Sequence, residues 1–245
     1  MAALGCASAE SFNSSALIRS ITLMADPWIN NVRKTKQLTV FASPNVTGGT
    51  WNNIFLAALV EFNKLSTSMN LGVTMTQAFE APETNGLGGA DVKFDAASGT
   101  VSETALGKPF SVEVIGTETI GITKVVRVPG KDNVERIVKA FVIVPLMPMF
   151  FIGPAGQQIR REVGKGVKTF IAVHEFIHAC GLSDPEHSPP AIPDVFVGQP
   201  DPSPGAPNKP DDDRLVLRKS PVVKAPPILI STRTANLIKP LWEAP

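Results

Sequence analysis

Residues 37–79 hold the arrangement that most narrows the folds open to this chain: "QLTVFAS", closed by the turn residues "PNVTGG", then "TWNNIFLAALVEFNKLS", then "LGVTMTQAF". The first and last segments are rich in β-branched and apolar residues and read as strands. The middle one places Ile54, Phe55, Ala58, Leu59 and Phe62 at helical spacing, with Thr50 as the expected N-cap, and predicts an amphipathic helix of about four turns. A helix between two strands is too long for a hairpin and returns the second strand parallel to the first. The chain is thereby committed to a sheet with parallel strands and a helix against one face.

Further strands follow. "GGADVKFDAASG" alternates Val92 and Phe94 against Lys93 and Asp95, which predicts a strand with one apolar and one wet face, and "TIGITKVVRV" and "ERIVKAFVIVPL" supply two more. From Ala155, "AGQQIRREVGKGVKTFIAVHEFIHACG" turns to helical periodicity, with an expected break around Gly164 and Gly166 and a stop at Gly181, a natural residue just past a helix end. Beyond it, "SPPAIPDVFVGQPDPSPGAPNKPDDDR" is too rich in proline for regular helix or central strand and reads as a long extended loop. The tail "PPILISTRTANLIKPLW" predicts a short extended stretch, Ser231 or Thr232 as N-cap, and a last short helix ending near Trp242. The expected class is α+β: a mixed, mostly parallel twisted sheet with two main helices, a proline-rich lower lobe and a short C-terminal helix. An N-terminal arm at 1–36 leads into an upper lobe at 37–181, and residues 182–245 form the lower lobe of the same domain.

Composition excludes several classes of function. With 43% hydrophobic and 18% charged residues over 245 positions, the chain can bury a core and need not be disordered. The net charge of +1 is spread without any lysine or arginine block, so nucleic acid is not an expected partner. The most apolar stretch, "FVIVPLMPMFFIG" at 141–153, falls short of the ~20 residues of a membrane helix and is interrupted by Pro145 and Pro148; it reads as a buried strand and an apolar loop. No basic segment followed by an apolar run opens the sequence, so the expectation is a cytoplasmic protein, or one released without a signal, unless the N-terminus is already processed. Cys6 and Cys180 are too few for a disulfide framework; a bridge between them is neither required nor excluded, and Cys180 is expected to be a small buried packing residue. Nothing in the pattern fixes an oligomeric state.

All three histidines lie in "HEFIHACGLSDPEH", residues 174–187. Helix residues four apart differ by about 40° around the axis, so His174 and His178 project from one face on successive turns and are candidates to hold a zinc ion. Glu175 is then beside the metal, where it can take a proton from an attacking water and pass it to a leaving amine. Asp184 and His187 lie just past the helix end and are the candidates for a third ligand.

"TFIAVHEFIHACGLSD" resembles the active-site helix of the metzincin peptidases, in particular the matrixin branch and the snapalysin-like enzymes, with the pattern falling on His174, Glu175, His178, Gly181 and Asp184. The order of elements also fits, and "GADVKF" is similar to the third strand of matrixins; the resemblance covers roughly residues 37–187. It implies one zinc ion per chain and an endopeptidase whose substrate, a protein or peptide, lies extended and antiparallel along the sheet edge above the metal. It also departs from the family. Met149 is the last methionine, so the methionine turn beneath the zinc is missing, and the most similar position is Ala225 in "VVKAPPILI". There is no tyrosine anywhere, which removes the tyrosine ligand of some relatives. Family spacing points to Asp184 as third ligand, whereas the histidine count points to His187, which a turn at Pro185 can bring back; His187 is the expected ligand, with Asp184 the alternative. The competing function is a non-catalytic, metal-stabilised binding or particle-associated protein, against which Glu175 argues, because a purely structural site needs no general base. Cys6 as a latency switch lacks the surrounding propeptide pattern, and Asp211, Asp212 and Asp213 lack the alternating spacing of a calcium loop and read as a solvated turn.

Overall fold

The strand, helix and strand of residues 37–79 set the frame of the computed structural model, which describes residues 25–114, 121–152, 159–162, 164–182, 228, 230 and 232–243. A short helix, α1 (Asn30–Thr35), leads into β1 (Gln37–Ala42), which is followed by a single helical turn, α2 (Pro44–Thr47), and the 18-residue helix α3 (Asn52–Met69). The chain then returns as β2 (Thr74–Ala78), parallel to β1 with Leu38 opposite Met75. The residues predicted for the apolar face of α3, Ile54, Phe55, Ala58, Leu59 and Phe62, are all buried. Its start differs from expectation: Trp51, not Thr50, occupies the cap position, with no side-chain cap bond. The reason is tertiary, since the buried Trp51 indole donates to the carbonyls of Pro145 and Leu146, 3.1 Å from each, and this anchor fixes where the helix begins.

The main sheet adds β3 (Val92–Ala97), β6 (Ile122–Pro129) and β7 (Glu135–Pro145), in the order β2-β1-β3-β7-β6. β1, β2, β3 and β7 run parallel, and β6 closes one edge antiparallel to β7. The class is α+β with a mixed, mostly parallel sheet, as the sequence indicates. Between β3 and β6 the chain makes a hairpin, β4 (Gly99–Ala105) and β5 (Lys108–Val114), that the sequence reading did not foresee. Phe110 on β5 packs edge-on against Phe141 of β7, ring centres 5.0 Å apart, and Glu103 on β4 pairs with Lys93. The second face of β3 is wet only in part: Lys93 is partly exposed, whereas Asp95 is 6% exposed and accepts hydrogen bonds from the Ser43 hydroxyl, from Asn45 Nδ2 at 3.2 Å and from the Ala96 N–H at 2.8 Å.

A second correction concerns residues 155–164. Instead of joining the following helix, Ile159–Glu162 forms β9, paired antiparallel with β8 (Met149–Ile152), and helix α4 (Lys165–Ala179) begins directly after Gly164. Strand pairing overrides the helical leaning of "QQIRRE", as tertiary context commonly does. The expected helix end holds: Gly181 follows the Cys180 cap with φ +116°.

One apolar cluster joins the helices to the sheet. Val40, Val92, Phe94, Val142 and Val144 from the strands meet Phe55 and Phe62 of α3, and Ile171, Phe176 and Ile177 of α4. The last helix, α5 (Thr232–Trp242), contributes Ala235, Ile238 and Trp242 to the same cluster, and Trp28 joins from before α1. Thr232 is the first helical residue of α5, and Ser231 lies outside the described residues. The apolar stretch at 141–153 is divided between β7 and β8, and no helix among the described residues is long and apolar enough to cross a membrane.

Candidate metal centre

Helix α4 carries His174, Glu175 and His178 and packs against α3, β6 and β7. The packing follows from its sequence: Ile171, Phe176 and Ile177 are fully buried, and Phe176 meets Phe55, Phe62 and Phe94 with ring centres 6.5, 6.1 and 5.6 Å away. With that side fixed in the core, the 100° step per residue turns Glu175 toward β6 and leaves the two histidines on a common face. Their ring centres are 5.0 Å apart with planes at 73°, and Phe170, one turn earlier, lies 6.1 Å from the His174 ring. His178 is 4% exposed and Glu175 is 3% exposed, so both are withdrawn from bulk water.

His178 and Glu175 are oriented by their surroundings. The Nδ1 of His178 lies 3.1 Å from the Leu182 carbonyl oxygen. A carbonyl can only accept, so Nδ1 carries the proton and the lone pair sits on Nε2, the arrangement that fixes a ligating imidazole for a metal. Glu175 is met by β6: the Thr123 hydroxyl lies 2.7 Å from Oε2 and 3.1 Å from the Glu175 main-chain oxygen. Just before β6, Gly121 faces the same carboxylate, and a β-carbon there would stand 2.7 Å from both Cγ and Cδ of Glu175. Cys180 is buried and free; burial pushes its thiol well above the ordinary range, so it stays protonated and acts as the packing residue expected.

The helix end beyond the histidines is held from distant parts of the chain. Trp28 Nε1 donates to the Ala179 carbonyl at 2.8 Å and Trp242 Nε1 to the Cys180 carbonyl at 3.1 Å, which satisfies two acceptors that a helix C-terminus leaves open. The Asp26 N–H donates to the Gly181 carbonyl at 3.0 Å, and Ala25 forms an antiparallel bridge with Leu182. Gly181 is required by this contact: its φ is +116°, and a β-carbon would collide with the Asp26 carbonyl oxygen.

The structure brings together three of the site residues expected from sequence, His174, Glu175 and His178, while Asp184 and His187 lie outside the described residues, as do Ala225, Cys6 and Asp211 to Asp213. Accordingly, no group of three metal-binding side chains assembles among the described residues. The donors present suit zinc: two imidazoles at i and i+4, one with its tautomer set by a backbone carbonyl, and a carboxylate beside them. Thr123, Gly121, Trp28 and Trp242 were not foreseen, because nothing local in the sequence marks which residue of a strand or terminal segment will face a given helix. No family model matches the chain, and no curated protein matches it.

Proposed function

We propose that the protein is a zinc-dependent endopeptidase in which His174 and His178 hold the metal together with a third ligand, His187 or Asp184, and Glu175 is the general base. The observation that carries this reading is the placement of Glu175: a carboxylate 3% exposed, adjacent in sequence to one imidazole of the pair, oriented by Thr123 at the edge of the sheet. A metal held only for stability has no use for such a group. Zinc, when bound, supplies the Lewis acidity that activates a water and polarises a peptide carbonyl. Glu175 accepts the proton of the attacking water and returns it to the departing amine; exclusion from bulk water keeps that proton in the site.

The substrate is a polypeptide in extended form. β6 is the terminal strand of the sheet beside Glu175, and among the described residues no strand pairs with its outer edge. At the opposite edge, the Asn63 side chain occupies both main-chain groups of Met75 on β2, donating to its carbonyl and accepting from its N–H at 2.8 Å each. Backbone pairing of an added strand is therefore favoured at β6, next to the base.

The test is Glu175→Ala, assayed for zinc content and for cleavage of casein and a quenched peptide library. The variant is expected to keep one zinc per chain and its fold and to lose cleavage. Equal turnover by wild type and variant would refute the role of Glu175, and a zinc-loaded wild type that cleaves nothing would favour the metal-stabilised binding protein.

A further inference from the structure

We propose that Thr123 and Gly121 are positioning residues for Glu175: the strand that borders the site is built to hold the base in one place. The inference rests on the peptidase reading and assigns parts of β6 and its approach to that same site. Two independent features of the strand converge on one carboxylate. The Thr123 hydroxyl is 2.7 Å from Oε2, and the absence of a side chain at Gly121 leaves the space that Cγ and Cδ of Glu175 occupy. The three atoms nearest to a β-carbon built at Gly121 all belong to the Glu175 side chain, so the glycine leaves room for that carboxylate. The two positions are separated by one residue, and alternation along an extended chain points both toward the same face.

A hydroxyl is the right group for this task. It donates to a carboxylate and accepts from a carboxylic acid, so it serves Glu175 before and after the base takes a proton. In the second state the hydroxyl hydrogen has another acceptor within reach, the Glu175 main-chain oxygen at 3.1 Å. An isosteric apolar side chain offers neither bond, with the cost falling on the chemical step, not on peptide pairing along the strand.

The experiment compares Thr123→Val, Thr123→Ser and Gly121→Ala with wild type, each loaded with zinc, for zinc content, kcat and KM on a fluorogenic peptide, and by crystallography. For Thr123→Val, kcat falls roughly tenfold or more, the value of a hydrogen bond to a charged group, with KM within about twofold. Thr123→Ser restores most of kcat, Gly121→Ala lowers kcat at unchanged zinc content, and both Thr123→Val and Gly121→Ala show Glu175 displaced in their crystal structures. A wild-type kcat in Thr123→Val, or a loss that Thr123→Ser shares in full, overturns the proposal. If wild type itself cleaves nothing, the peptidase reading fails, and the crystal structures still decide the positioning role: a Glu175 carboxylate that stays in place in Thr123→Val and Gly121→Ala refutes it.

Discussion

Lys139 lies on β7, is 1% exposed, and donates from Nζ to three carbonyls at 2.9, 2.8 and 2.7 Å, those of Leu87, Gly88 and Ala90. The three ammonium hydrogens thus match three acceptors, and the residue ties the 79–91 segment to the sheet. Lys139→Met keeps the volume of the side chain and removes the charge, which sets two effects against each other. Burying an ammonium costs several kcal/mol, but its three charge-assisted hydrogen bonds, at about 1.5–3 kcal/mol each, offset that cost in the wild type, so removing the charge and its bonds together is close to neutral. The loss is the satisfaction of the carbonyls: those of the exposed residues Leu87 and Gly88 can turn to water, whereas Ala90, 1% exposed, would be left with a buried acceptor. One such orphan costs about 1–3 kcal/mol, and the freed segment adds to it, so Lys139→Met should destabilise by ~2 kcal/mol in urea denaturation at constant m-value. Burial lowers the pKa of Lys139 from its ordinary 10.5, partly offset by Asp91 and Glu83. The unfolded chain then holds this proton to higher pH than the native one, so the wild-type protein gains stability as pH rises from the lowered native value toward 10.5, and the variant does not. The gap between wild type and variant should widen across that window. A variant as stable as wild type, or a gap that narrows with rising pH, would refute the reasoning.

Phe176→Ala empties the space between Phe55, Phe62 and Phe94 and should cost about 3–5 kcal/mol in chemical denaturation; a loss under ~1 kcal/mol would mean that these rings do not fix α4. Gly181→Ala forces a β-carbon onto the Asp26 carbonyl at φ +116° and should destabilise by ~1–3 kcal/mol while weakening zinc binding, measured by calorimetry with a competing chelator; unchanged affinity would detach the helix end from the site. His187→Ala should reduce zinc affinity far more than Asp184→Ala in the same assay, and the reverse order would assign the third ligand to the aspartate.

Periodicity carried the sequence reading where one face of an element meets the core. Ile54, Phe55, Ala58, Leu59 and Phe62 could be assigned to one side of α3, and Val92 and Phe94 to the inner face of β3, because burial there follows the repeat of the element itself. The hairpin β4–β5 was marked by only one of its strands: β5 alternates Phe110, Val112 and Val114 with Ser111 and Glu113, whereas β4 is largely polar. Its turn places Leu106 at φ 51° and Gly107 at φ 70°, so a leucine occupies a position where asparagine or aspartate is the usual marker. Alternation alone made the outer face of β3 look solvated, although Lys93 pairs with Glu103 of the hairpin and Asp95 is bonded to Ser43. The site divides in the same way. His174, Glu175 and His178 were legible because their relation is set by one helix, whereas the contact of Thr123 with Glu175 spans 52 positions and depends on which strand occupies the sheet edge.

The anchoring of α4 bears on how precisely a third ligand of the proposed site can be placed. A site assembled from a helix and the segment after it is only as precise as the turn between them, since the third ligand must return to two imidazoles already fixed on the helix. In this chain the turn begins at Cys180 and Gly181, and each of its main-chain groups named above is bonded to a distant element: Trp28, 151 positions from Ala179, Trp242, 62 positions from Cys180, and Asp26 at Gly181. The two indoles are fully buried and belong to the common core, so their N–H groups are held by packing and not by exposed loops. His178 is drawn into the same structure through the Leu182 carbonyl, the residue that bridges to Ala25. The orientation of a proposed metal ligand is thus coupled to both ends of the described chain, through tryptophan and backbone contacts at residues 179–182.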